Sequence, residues 1–227
     1  MSIDITWHGH STFSLDINGT NVLVDPFFDG NPVAKRKADS VNPDYILVTH
    51  GHGDHIADTL PIAKRTNALV ISNFEIDNWL TAKGNARGHG QHIGGGYQHP
   101  FGHVKMTIAF HGSGLPDGSY GGQPGGFLLT LDGKRIYIAG DTALFSDMAL
   151  IGRGGLDLAV LPVGDNYTMG PDDALLALSY LQPKVVIPCH YNTWPVITVD
   201  VNHWAERVRQ ETDCQPMVLD VEGSYRL

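Results

Sequence analysis

The chain has 227 residues, 42% of them hydrophobic, and a formal net charge of −9, which is enough apolar material for a sizeable core in one large domain. The fifteen Lys and Arg are scattered, with only Lys35-Arg36-Lys37 clustered, and this excludes a general nucleic-acid surface, because phosphate binding draws on clustered basic side chains. No run reaches the roughly eighteen apolar residues of a membrane span, and two cysteines without a charged start followed by an apolar run predict a reducing cytoplasm.

Residues 3–7, 12–17 and 21–25 read as three short strands of a meander, the last two joined by the Asn18-Gly19 turn signal. His8 and His10 flank Gly9 at the first turn, where histidines are commonly hydrogen-bonded turn residues, so both stay outside the metal set. Asp25 ends the third strand and either orients a metal-binding histidine or simply makes the turn before Pro26. Residues 29–43 form a loop.

Apolar Tyr45-Ile46-Leu47-Val48 runs directly into His50-Gly51-His52-Gly53-Asp54-His55. Three imidazoles and a carboxylate so close together make poor core and good metal ligands. His50 and His52 are two apart, so on an extended backbone both project to one side and can grip one ion. Gly51 and Gly53 let the loop coil and aim Asp54 and His55 at a second ion.

Helical periodicity at 57–66 and 75–83 encloses a buried strand at 68–72. The glycine-rich stretch 84–102 brings His89, His92 and His99, with His103 just after it, at spacings that match neither strand nor helix; a mobile loop and hairpin is expected there rather than a second metal cluster. A strand at 104–110 delivers His111, and the glycine- and proline-rich 112–126 forms a rim or lid. Strands at 127–131 and 135–139 make a hairpin around Asp132-Gly133 that ends at Gly140-Asp141-Thr142, where Asp141 is a metal ligand or the cap of a helix over 143–151.

Residues 156–162 read as a buried strand, and 163–171 as a loop whose Tyr167 and Thr168 face a substrate or pack on the sheet edge. A helix over 171–181 begins with proline and acids, as the helix dipole favours. The strand at 184–188 delivers His190, with Cys189 turned by alternation into the core. A helix over 199–211 and a strand at 216–219 close the chain, with Cys214 structural. Thr142 and Asn192 join Tyr167 as residues expected to steady the ligands or touch substrate, and Trp194 and Trp204 are expected to be exposed and open to a subunit contact in a homo-oligomer.

The hexapeptide resembles the metal-binding signature of the metallo-β-lactamase superfamily. The superfamily's other features follow in order at Asp25, His111, Asp141 and His190, so the resemblance spans essentially the whole chain. It implies an α/β, four-layer αββα sandwich in which two similar halves each contribute a sheet. On that pattern His50, His52 and His111 take one ion, Asp54, His55 and His190 take a second, and Asp141 bridges them with one oxygen to each. The runs Trp7-x-Gly9-His10-Ser11-Thr12, Asp25-Pro26-Phe27, His92-Ile93-Gly94-Gly95, Ala139-Gly140-Asp141-Thr142, Tyr167 to Pro171 and Pro188-x-His190-Tyr191-Asn192-Thr193 are similar to a small bacterial and archaeal group of metal-dependent hydrolases. That group resembles ascorbate-phosphate lactonases and N-acyl phosphatidylethanolamine phospholipase D in its opening and metal residues.

The resemblance implies hydrolysis at a dinuclear centre, acting on an ester, lactone or phosphodiester of a small molecule. Zinc is the first choice of metal, and manganese, iron, nickel or cobalt suit the same ligands. Asp54 is assigned the catalytic work of orienting the attacking water and accepting its proton, and His10 that of protonating the leaving group. Two other classes share the ligand set: a di-iron oxidoreductase, for whose usual flavodoxin-like domain the chain has no room, and a non-catalytic metal-binding module with closed coordination.

Overall fold

The structure is a computed structural model and describes residues 2–227. Alternation builds its first sheet: in β1 (Ile3–Trp7) and β2 (Phe13–Ile17) every second side chain is buried, and β3 (Thr20–Val24) follows through the Asn18-Gly19 turn. Connections then lengthen and the strands become parallel: β4 (Tyr45–Leu47), α1 (Gly53–Ile56), α2 (Thr59–Thr66), β5 (Leu69–Asn73), α3 (Phe74–Ala82) and β6 (Gly88–Gln91). The second half repeats the plan, with the antiparallel run β7 (Gly96–His99), β8 (Gly102–Ile108), β9 (Gly125–Leu131) and β10 (Lys134–Ile138). The parallel part follows: α4 (Met148–Gly152), β11 (Leu156–Pro162), α5 (Pro171–Leu181), β12 (Pro183–Cys189), α6 (Val201–Glu211) and β13 (Gln215–Pro216).

With a last short strand, β14 (Ser224–Arg226), two seven-stranded sheets result, ordered β14-β1-β2-β3-β4-β5-β6 and β13-β12-β11-β10-β9-β8-β7. Strand β14, which sequence pattern does not reveal, returns from the C-terminal half to pair with β1. The main core lies between the sheets and runs under α5 and α6, through Leu15, Phe127, Ile138, Leu178 and Trp204, and a second cluster of Ile46, Val70, Ile62, Ile76 and Leu80 seats α2 and α3 on the outer face of the first sheet. This is the expected αββα sandwich. Asn73 caps α3 by accepting from the Ile76 N–H, and Asp200 caps α6 by accepting from the His203 N–H.

Several elements depart from the sequence reading. The helix expected over 57–66 forms as α2 from Thr59, and the short α1 precedes it inside the motif; Asp58 between them accepts from the backbone N–H groups of Phe28 and Asp29. Residues 143–147 stay out of a helix because the Ala143 N–H is tied to the Phe110 carbonyl and Thr142 Oγ1 accepts from the Phe110 N–H, which leaves only α4 helical. The hairpin expected at the end of 84–102 is present as β7 and β8, but the rest is not a loop: β6 and β7 supply an edge strand to each sheet, and Gly88 and Gly90 allow it, since a Cβ there would press on Asp77 and Phe74 of α3. Trp204 is not exposed but 1% accessible, and its indole N–H donates to the Pro171 carbonyl at 3.1 Å.

Candidate metal centre

The strands that carry the motif residues run the same way within each sheet, so their C-terminal ends meet at one rim of the sandwich. β1 ends at His8 and His10, β3 at Asp25, β4 at His50, β8 at His111, β10 at Asp141 and β12 at His190. His10, Asp25 and His190 all hold left-handed backbone conformations, with φ of 53°, 46° and 54°. Such conformations are costly for residues other than glycine and cluster where geometry is imposed by function.

The structure brings together all seven residues expected as metal ligands. His50 Nε2 lies 3.1 Å from His52 Nδ1, which lies 3.2 Å from His111 Nε2, close to the edge of about 3.3 Å that a tetrahedral zinc with nitrogens at 2.0–2.1 Å requires. His10, Asp54, His55 and His190 form a second group of convergent ligand atoms, and His50, His55 and Asp141 a third between them. The oxygen of Asp141 that approaches both sets is Oδ2, at 3.0 Å from His190 Nε2, 3.4 Å from His55 Nε2 and 3.5 Å from His111 Nε2. Asp141 thus approaches histidines of both sets through one oxygen.

Hydrogen bonds behind these atoms fix which nitrogen is free. His55 Nδ1–H donates to Asp25 Oδ2 at 2.8 Å and leaves Nε2 bare. Thr49 spends its hydroxyl proton on Asp25 Oδ2 at 2.6 Å and its N–H on Oδ1 at 2.8 Å, so its oxygen accepts from His50 Nδ1–H at 3.0 Å, and His50 Nε2 is bare too. One buried carboxylate thus sets both tautomers. Thr49, immediately before the motif, was missed in the sequence, where nothing but its position marks it.

Those bare atoms are the test of whether cations belong here. His55 Nε2, aimed at the centre, is buried without a hydrogen-bond partner, an arrangement costly in a closed protein interior and satisfied by a cation. Burial pushes the Asp141 carboxyl up, but His190 and His55 more than reverse this and hold it well below the usual carboxylate range. Burial likewise opposes charge on His55, and Asp141 with Asp25 outweighs it, so its pKa is raised. The site is organised around positive charge, and imidazole with carboxylate is the donor set of zinc and its neighbours.

His10 was expected outside the metal set, yet its Nε2 joins the second group. The ring is buried at 0% exposure; its Nε2–H donates to Asp54 Oδ2 at 3.1 Å while the Thr193 hydroxyl donates to Nδ1 at 2.8 Å. Burial holds its pKa down to about 4 against the pull of Asp54, so at neutral pH it is an uncharged donor. His8 points elsewhere, to Glu222 and Ser14 at 2.9 and 2.8 Å, and ties the C-terminal turn to β2.

Tyr167 lines the cavity over the centre, together with His52, Asp54, His111, Asp141, His190 and Trp194. Thr142 and Asn192 do not: Thr142 Oγ1 serves Phe110 and Ala143, and Asn192 Oδ1 accepts from the Val199 N–H. Cys189 is buried in the core. The rim 112–126 is pinned by the Asn73 side-chain amide, which donates to the carbonyls of Gly121 and Gln123. Among the described residues His89, His92, His99 and His103 form no convergent ligand group.

With that geometry in hand, the likeness to known proteins is specific. A family model described as a β-lactamase superfamily domain matches residues 20–191. The chain belongs to the metallo-β-lactamase superfamily. It is 50% identical over 225 residues to a UPF0173 metal-dependent hydrolase of Heliobacterium modesticaldum, covering 96% of this chain and 94% of the relative. A UPF0173 metal-dependent hydrolase of Bacillus cytotoxicus is 48% identical, with 98% and 99% covered. Among solved structures, Igni18, a metallo hydrolase of the archaeon Ignicoccus hospitalis, superposes with a TM-score of 0.91 at 35% identity, covering 100% of this chain and 99% of that one. This superfamily member is thus part of a group of metal-dependent hydrolases, and no helix among its described residues is long and apolar enough to cross a membrane.

Proposed function

We propose that the chain is a single-domain hydrolase that holds two divalent ions, zinc first, and cleaves an ester, lactone or phosphodiester of a small molecule in the cytoplasm. The observation that carries the reading is Asp141 Oδ2, within 3.5 Å of histidines from both ligand sets. His50, His52 and His111 would hold one ion, Asp54, His55 and His190 the other, and Asp141 both. Ions bound there supply Lewis acidity, which polarises the scissile group and makes a water nucleophilic near neutral pH.

The chain's own residues do the rest. Asp25 fixes the histidine tautomers, and His10 fixes Asp54 by donating to Oδ2. Asp54, 26% exposed against 2% for Asp141, is the more open of the two carboxylates that line the cavity and can orient a water or take its proton. His10, neutral at pH 7, keeps its N–H directed at Asp54 and acts there as a hydrogen-bond donor that positions the carboxylate, while the proton taken up by Asp54 from the water is the one available to a departing oxygen. Trp194, with ring centroid 4.9 Å from that of His10, excludes water from one side of this pair.

The test is elemental analysis of purified protein beside chromogenic ester, lactone and phosphodiester substrates, with and without chelator. Two zinc or manganese per chain and turnover abolished by chelator are expected. Two irons with oxygen reactivity would move the reading to oxidation, and one ion with no turnover to a binding module.

A further inference from the structure

We propose that the centre's cavity selects an uncharged carboxylic ester or lactone carrying a compact flat apolar group, and that its mouth rejects substrates bearing phosphate. The inference rests on the hydrolase reading above and narrows it.

Size comes first. The cavity holds about 250 Å³, below the roughly 300–1,000 Å³ of drug-sized ligand sites, so the substrate is small or only its reacting end enters.

Charge comes next. The segments that bring a ligand or a lining residue to the site are 8–11, 25–31, 50–57, 110–123, 140–147, 163–170 and 190–198, and none contains a Lys or Arg. They do carry Asp29, Asp117, Asp147 and Asp165 in addition to the carboxylates of the centre. Two of the three basic residues beyond the 25–31 segment are engaged elsewhere: Lys35 Nζ donates to the Val221 carbonyl and Arg36 pairs with Glu222. Phosphate groups carry up to about two negative charges at neutral pH, and proteins that bind them meet the oxygens with Arg, Lys or clustered N–H donors. Metal ions can take the oxygens of the reacting group, but a phosphate elsewhere on the substrate would meet no Lys or Arg on these segments, and Lys83, which reaches Asp117 at 3.0 Å, is already paired.

The walls supply the positive preference. Trp194 is half-buried, set at the edge of His10 and 6.2 Å from the Phe27 ring, so one side is fixed and the other lines the cavity. Tyr167 also lines it and is 55% exposed, carried by a loop in which Asp165 and Asn166 are both left-handed, with φ of 61° and 53°. Phe110, the residue before His111, is a third exposed ring, backed by Phe145 at 5.3 Å. The Tyr167 and Trp194 rings that line the reactive cleft present aromatic surface that a flat apolar ligand would cover.

The experiment compares matched esters on the metal-loaded chain: phenyl acetate against the same ester bearing a para phosphate, so that the scissile bond stays constant. The expected result is a kcat/KM about tenfold or more in favour of the uncharged ester, narrowing as salt is raised. Tyr167→Ala and Trp194→Ala should each raise KM for phenyl acetate several-fold with metal content retained, and Tyr167→Arg should shrink the penalty on the phosphate-bearing ester. Equal or better turnover of the phosphate-bearing ester, or an unchanged KM in both alanine variants, would overturn the proposal. Calorimetric binding of acetanilide and of phenyl phosphate to the metal-free chain provides a readout independent of turnover. If the loaded chain hydrolyses nothing, the hydrolase reading falls, while the binding order still decides the preference: acetanilide tighter upholds it and phenyl phosphate tighter sinks it.

Discussion

Residues 50–55 and 88–103 are both rich in histidine and glycine, and they end in opposite ways. In the first, His50, His52 and His55 leave the end of β4 at the rim where five other strand ends arrive, with Asp25 and Asp141 buried among them. In the second, His89 and His99 sit on edge strands of different sheets and pack as rings, with centroids 4.9 Å apart and Tyr97 4.5 Å from His89. His99 stacks on Phe101 and its Nε2 is buried without a partner. The difference is the carboxylate. Buried acids hydrogen-bonded to the imidazoles set their tautomers and give a cation something to neutralise, whereas the one carboxylate near the second stretch, Asp77, makes no hydrogen bond to His89 or His99, and those imidazoles pack against aromatic rings instead.

The comparison breaks most severely if a ligand goes. Asp141→Ala or His190→Ala should lower metal content and activity by more than the roughly 10–100-fold that loss of an outer partner costs. Elemental analysis showing full loading in either variant would refute the ligand assignment.

Next in size is the support. Asp25→Asn should weaken metal affinity or activity by about 10–100-fold, and Thr49→Val, which removes the link to His50 and one donor to Asp25 but leaves the His55–Asp25 bond, by less. A competition titration against a chelator measures both. Equal effects would mean that Asp25 does not act through two histidines.

On the other side of the comparison, His89→Ala should leave metal content unchanged and cost only about 0.5–1.5 kcal/mol of stability through lost ring contacts. A drop in metal per chain would show that the edge histidines bind an ion after all. The smallest effect expected is in pH dependence. Burial, reinforced by His89 and His103, holds His99 down to about 4 from the ordinary 6.5. Because the folded value lies below the unfolded one, stability from neutral His99 is complete above about pH 6.5 and is lost as pH falls through about 4. Urea unfolding of metal-free His99→Phe should therefore show a shallower decline than the parent across that window; parallel curves would argue against a buried neutral imidazole.

Much of this molecule was legible in the chain itself. The spacing of His50 and His52, the glycines around them and the strand-end positions of Asp25, His111, Asp141 and His190 follow from local rules, because alternation in a strand decides where its last side chain points. The apolar periodicity that marks β11 and α5 is local in the same way. What only the tertiary structure decided lies between distant segments. Thr49 meets Asp25 across 24 residues, His10 meets Thr193 across 183, and Trp204, read as exposed, is covered because Pro171 and α5 pack over it. The stretch 88–103 looked irregular because each of its strands is short and earns its place only from a neighbour, β5 for one and β8 for the other. Local pattern sets direction within one element; which directions converge, and on which oxygen of Asp141, depends on how two sheets close against each other.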